Sequence, residues 1–155
     1  MTSRIILLVE DNPSDEALTL RALRKSGIQN EVVVTRDGAE ALDYLFCTGA
    51  FAGRRPANMP AVVMLDLNLP KLGGLQALKR IRENPPTKLL PVVILTSSDE
   101  EEDRLKGYEC GANSFVRKPV EFDMFVAAVK QLGLYWLILN EPAPSRTRTA
   151  LPHEI

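Results

Sequence analysis

Four short apolar runs, each ending in a side chain able to do chemistry, constrain this chain more than any other feature. Ile5 to Val9 runs into Glu10 and Asp11, Val62 to Leu65 into Asp66, Val92 to Leu95 into Thr96 and Ser97, and Phe115 with Val116 is followed by Lys118. Apolar runs of this length, separated by helical patterns, read as parallel strands buried on both faces. In an open parallel sheet ligands bind at the carboxyl ends of the strands, so these groups are expected to converge on one cleft.

The segments between the runs supply the helices. Asn12 caps the first, with Pro13 at its first position, Asp15 and Glu16 in its first turn and Gly27 after its end. Ala17, Leu20 and Leu23 are expected on its inner side. Glu31 to Thr35 alternates and reads as a strand nearer the sheet edge, followed by a helix from about Asp37 to Phe46 that turns Ala41, Leu42 and Leu45 inward. Cys47 to Pro60, with two glycines and two prolines, reads as a long surface loop whose Arg54 and Arg55 are solvated. Gly73 and Gly74 open a third helix carrying Leu75, Leu78 and Ile81. The acidic stretch Asp99 to Asp103 starts a fourth, and a last helix begins near Glu121 or Phe122. Five βα units without internal repeat predict an α/β fold: a doubly wound five-stranded parallel sheet, flavodoxin-like in its order 2-1-3-4-5, with helices on both faces.

Composition removes several function classes. Lys and Arg number 19 against 20 acids, so the net charge of −1 gives no electrostatic case for nucleic-acid binding. Cys47 and Cys110 fit neither a disulfide framework nor a zinc spacing and read as reduced thiols. No signal peptide or membrane span is legible, which places the chain in the cytoplasm. The lone histidine, His153, lies in a proline-containing tail, so histidine-based catalysis is set aside.

What remains is oxygen chemistry. With β1 and β3 adjacent, Glu10, Asp11 and Asp66 share the crevice, where like charges ~4 Å apart repel by about 4 kcal/mol at an effective dielectric of ~20. Oxygen-only ligands select a hard cation held by a few carboxylates and waters, as Mg2+ usually is. Lys118 offers a point charge and Thr96 a hydroxyl to phosphoryl oxygens. A carboxylate is a competent phosphoryl acceptor, and Asp66 lies centrally between the acid pair and Lys118.

At these residues the sequence resembles the receiver domain of two-component response regulators. The resemblance covers about residues 3–133 and rests on Glu10 with Asp11, Asp66 followed by Pro70 and Gly74, Thr96 after a hydrophobic strand, and Lys118-Pro119. It implies that Asp66 takes a phosphoryl group from a histidine kinase. Asp11 and Asp66 would ligate Mg2+ directly and Glu10 through water, and the Asn68 backbone carbonyl would complete the protein ligands. Thr96 and Phe115 would be switch residues, and the Lys118-Pro119 peptide would be cis. Such a protein is a signalling switch, catalysing only its own phosphorylation and dephosphorylation. Asp66-Leu67-Asn68-Leu69-Pro70, the segment Gly111 to Val116, and the ending Leu134 to Asn140 are similar to the small response regulators that partner bacterial and cyanobacterial phytochromes. A bacteriophytochrome-type kinase is the partner this implies.

Residues 134–155 are expected to form an extension without an output domain, so the signal is expected to leave through protein contacts. The last helix carries one core stripe, Phe122, Phe125, Val126, Val129 and Leu132. Met124, Ala128, Tyr135, Trp136, Ile138 and Leu139 add apolar surface beyond it, and the last four of these predict a homodimer interface. Two rival readings meet obstacles in these residues. A haloacid dehalogenase-like phosphotransferase needs a second acid where Asn68 stands, and an unphosphorylated receiver-like scaffold is expected to lack the acceptor, acids or lysine.

Overall fold

The computed structural model describes residues 5–56, 58–69, 71–96, 101–118 and 122–133. Its five strands are β1 (Ile6–Val9), β2 (Val32–Thr35), β3 (Val62–Leu65), β4 (Val92–Thr96) and β5 (Ser114–Arg117). All pair in parallel, in the order 2-1-3-4-5. The helices are α1 (Pro13–Lys25), α2 (Gly38–Phe46), α3 (Gly74–Glu83), α4 (Glu101–Glu109) and α5 (Phe122–Gly133).

Alternation along each buried strand divides the core into two layers. Leu7, Val9, Val63, Leu65 and Ile94 meet Ala41, Leu42 and Leu45 of α2 and Leu78 and Ile81 of α3. On the opposite face, Ile6, Leu8, Val62, Met64, Val93 and Leu95 meet Ala22 and Leu23 of α1 and Phe125 and Val129 of α5. Each large aliphatic side chain so buried contributes on the order of 1.5–3 kcal/mol, which fixes the strands whatever their ends carry. α4 lies over the α2 and α3 face, where a methyl on Gly107 would come within 2.7 Å of the Ile94 side chain.

Local detail departs from the sequence expectation at several points. Ala17 is exposed and Leu20 half-buried; the inward positions of α1 are Thr19, Ala22 and Leu23. A polar residue thus occupies the stripe, and the Thr19 hydroxyl is buried without a hydrogen-bond partner. β2 is an edge strand as expected, yet Val32, Val33 and Val34 are all half-buried instead of alternating. In α3 the buried positions are Gly74, Ala77, Leu78 and Ile81, with Leu75 only half-buried.

Arg54 is a clamp and not a solvated charge. Its guanidinium stacks 3.9 Å from the Tyr44 ring centroid, donates to the Tyr44 carbonyl at 2.6 Å and to Cys47 Sγ at 3.2 Å, and reaches the Asn58 carbonyl. The loop after α2, which also contains a 3-10 turn at Gly49–Phe51, is therefore pinned to that helix. Cys47 and Cys110 are free thiols, both half-buried.

Candidate functional site

The strand register assembles the site. Val9 stands opposite Thr35 on one side and Leu65 on the other, so β1 and β3 end level. The chain continues the ladder for one more residue in each case: the Glu10 N–H donates to the Thr35 carbonyl at 2.9 Å, the Asp66 N–H to the Val9 carbonyl at 3.1 Å, and the Lys118 N–H to the Thr96 carbonyl at 2.6 Å. Three candidate residues from distant parts of the sequence are thus fixed by backbone pairing before any side chain is considered.

Their side chains then meet. Lys118 Nζ lies 2.6 Å from Glu10 Oε1, 3.3 Å from Asp66 Oδ2 and 3.3 Å from Asp15 Oδ2. Side-chain exposure is 5% for Lys118, 2% for Glu10 and 9% for Asp66, against 37% for Asp15. The first three are buried charges and the fourth a rim charge, a distinction that sets how strongly water screens each.

Burial pushes the Glu10 carboxyl up to about 7, with the neighbouring Asp66 adding to the rise and the Lys118 ammonium opposing it. Burial works to lower the Lys118 ammonium. Its hydrogen bond to Glu10 and the charges of Asp66, Glu10 and Asp15 together outweigh that, leaving it above its ordinary value.

The loop after Asp66 is shaped by close packing. A methyl on Gly74 would sit 2.3 Å from the Asp66 carbonyl oxygen and 2.7 Å from Leu67 Cα, so only glycine lets the start of α3 come so near. The Gly74 N–H donates to the Leu67 carbonyl at 3.1 Å, and the Asn68 N–H to Asp66 Oδ1 at 3.2 Å. Lys71 takes a left-handed φ of 64° and faces Asp37 Oδ2 at 3.7 Å.

The expected residues are therefore unequally placed. Glu10, Asp66 and Lys118 converge. Thr96 is buried at the end of β4 and carries Lys118 on its carbonyl. Asp11 is exposed just past Glu10, and Asn68 is exposed with its backbone turned to Asp66. Phe115 is half-buried in the α2 and α3 layer, 6.5 Å from the Tyr108 ring of α4. Ser97, Pro70, the Lys118-Pro119 peptide and Tyr135, Trp136, Ile138 and Leu139 lie outside the described residues.

Asp15 joins the cluster although the sequence had assigned it only to a helix start. Its carboxylate oxygen lies within 4.8 Å of those of Glu10 and Asp66. Three carboxylates at that spacing, with no His or Cys among them, suit a hard divalent cation, and the Lys118 ammonium touches all three.

Comparison with known proteins places this geometry. Residues 6–130 match the response regulator receiver domain. The chain is 35% identical to response regulator Rcp1 of Synechocystis sp. over 134 residues, 86% of this chain and 89% of that protein. The solved Mn2+-bound form of Rcp1 superposes with a TM-score of 0.81 at 33% identity, covering 91% of this chain and 99% of that one. The phosphorylated cyanobacterial phytochrome response regulator RcpA gives a TM-score of 0.83 at 35% identity, covering 92% of this chain and 100% of that one. The bacteriophytochrome response regulator AtBRR gives 0.74 at 54% identity, covering 91% and 100%. Sheet order, strand-end chemistry and these similarities agree that the chain belongs to the response regulator receiver domain family.

Proposed function

We propose that this phospho-accepting receiver takes a phosphoryl group on Asp66 from a histidine kinase of the bacteriophytochrome type, in a reaction that requires Mg2+. The observation that carries the reading is the Lys118 ammonium bridging Glu10 and Asp66, two buried carboxylates from separate strand ends. An Asp66 oxygen attacks phosphorus, the bond from phosphorus to the kinase imidazole nitrogen breaks, and that nitrogen keeps the electron pair and takes up a proton. Lys118 supplies a fixed positive charge for the phosphoryl oxygens, and Thr96 a hydroxyl donor. Asp11, Asp66, the Asn68 carbonyl and, through water, Glu10 would hold Mg2+, and the bound ion would supply positive charge to the phosphoryl group. Phe115, packed beside α4, relays the state of the site to the surface formed by α4, β5 and α5.

The chain's similarity to phytochrome-linked response regulators, 54% identity to AtBRR among them, supports a phytochrome-type kinase as donor. The Mn2+-bound Rcp1 structure supports a divalent cation at the acid cluster. Residues 3–133 act as the receiver and 134–155 as an extension, with signalling through protein contacts and a homodimer centred on Tyr135, Trp136, Ile138 and Leu139. The 62% exposure of Met124 on α5 supports an interface on that side. The same reading places the protein in the cytoplasm, where a histidine kinase presents its phosphoryl group; no described helix is long and apolar enough to cross a membrane.

Transfer of labelled phosphate from a phosphorylated bacteriophytochrome kinase tests the reading. Label should appear as an alkali-labile acyl phosphate on the wild type and be absent from Asp66→Asn. Failure with every kinase and small phosphodonor would favour the scaffold reading.

A further inference from the structure

Asp15 and Glu16 occupy the same first turn of α1 and would complement the helix N-terminus equally well. The structure separates them. Glu16 pairs with Arg36 Nη2 at 2.9 Å, just past the end of the edge strand β2, while Asp15 turns to Lys118 and comes within 4.8 Å of the carboxylate oxygens of Glu10 and Asp66. Its backbone is fixed there, because its N–H donates to Asn12 Oδ1 at 3.0 Å and Pro13 begins the helix.

An ammonium has three N–H donors, and Lys118 has three acceptors: Glu10, Asp15 and Asp66. A phosphoryl oxygen that recruits Lys118 must displace one of them. Glu10 is held closest and is buried, and Asp66 carries the phosphoryl group itself. Asp15, the most exposed of the three, is the acceptor able to give way to water. Until it does, its charge faces the incoming anion while adding to the attraction for a cation.

We propose that Asp15 is a specificity-determining residue of this site: a rim carboxylate that strengthens cation binding and opposes the phosphoryl group by holding Lys118. The proposal rests on Asp66 being the acceptor. It predicts a signature that a purely structural role does not produce, namely opposite shifts in two affinities when the charge is removed. A unit charge ~5 Å away, at an effective dielectric close to that of water, changes a binding constant on the order of three- to tenfold.

The test compares wild type, Asp15→Asn, Asp15→Glu and Glu16→Gln by NMR titration. Mg2+ is titrated alone, and then beryllofluoride, a phosphoryl mimic, at saturating Mg2+. Asp15→Asn should weaken Mg2+ and tighten beryllofluoride, each about three- to tenfold, with the gap from wild type closing at high salt. Asp15→Glu should restore the wild-type order, and Glu16→Gln should leave both constants within about twofold. Weakening of both ligands in Asp15→Asn, or movement of neither, overturns the role given to Asp15. A wild type that binds Mg2+ but no beryllofluoride instead overturns the acceptor reading, and this proposal with it.

Discussion

Replacing Glu10 with glutamine should change how the metal-free protein responds to pH. In the unfolded chain Glu10 ionises near its ordinary 4.5; folded, it holds its proton to about 7, because its carboxylate is buried beside Asp66. Below pH 4.5 it is neutral in both states and costs nothing. Between 4.5 and 7 the unfolded chain has released a proton that the folded protein still binds, so stability falls as pH rises. Above 7 the full cost is present, about 3 kcal/mol at 1.36 kcal/mol for each pH unit separating the two values. Glutamine keeps the shape and an acceptor for Lys118 but has no proton to lose. Urea unfolding in a chelator at pH 5, 6, 7 and 8 should therefore show Glu10→Gln gaining on the wild type by about 2–3 kcal/mol across the series, part of the cost being present already at pH 5. Saturating Mg2+ at pH 8 should recover the deficit in the wild type and do far less for the variant. Parallel pH profiles for the two proteins would refute the argument, because they would mean that Glu10 titrates alike folded and unfolded.

Four other outcomes are expected. Lys118→Met, which leaves three carboxylates without their ammonium, should lose about 3–5 kcal/mol in chelator and regain much of it with Mg2+; equal spectral changes in mutant and wild type on adding beryllofluoride would show that the lysine does not couple the site to the surface. Gly74→Ala should cost about 1–3 kcal/mol and slow phosphorylation, since its methyl meets the Asp66 carbonyl, whereas Gly53→Ala, with nothing within 4 Å, should be neutral by both measures. Arg82 donates to the carbonyls of Gly111, Thr87, Lys88 and Leu90 and to Asn113 Oδ1, so Arg82→Met should lose about 3 kcal/mol and raise amide exchange at residues 110–113. Truncation after Gly133 should convert a dimer into a monomer in light scattering; a truncated protein that stays dimeric would move the interface onto the receiver.

Strand ends were legible because burial on both faces leaves an unbroken apolar run, and the first polar residue after it marks where the strand meets the cleft. Glu10, Asp66 and Thr96 are read as strand-end residues this way, and Lys118 lies one residue further on, past Arg117. Asp15 is not read this way, since an acid in a first helical turn already has a sufficient local explanation in the helix dipole, and only the closing angle of α1 turns it toward Lys118. Thr19 escaped for a related reason: hydropathy patterning assigns a threonine to the outside, yet it is fully buried in α1. Arg54 and Arg82 were invisible because their partners are mostly main-chain carbonyls, which every residue has. Spacing in sequence carries no trace of such contacts, and only the folded path of the loops brings them within reach.

The separation in sequence between Lys118 and its acceptors has a consequence for synthesis. Glu10 is 108 residues upstream and Asp66 is 52, while Asp15 is 103. All three carboxylates leave the ribosome well before the lysine, and a chain whose β1, α1 and β3 have paired gathers negative charge with no ammonium to answer it. Any partial sheet of that kind would be electrostatically penalised until β5, an outer strand of the sheet, docks against β4 and delivers Lys118. A prematurely terminated or incompletely wound chain therefore lacks the cation its acceptor needs, so competence to receive phosphate doubles as proof that the sheet has been finished.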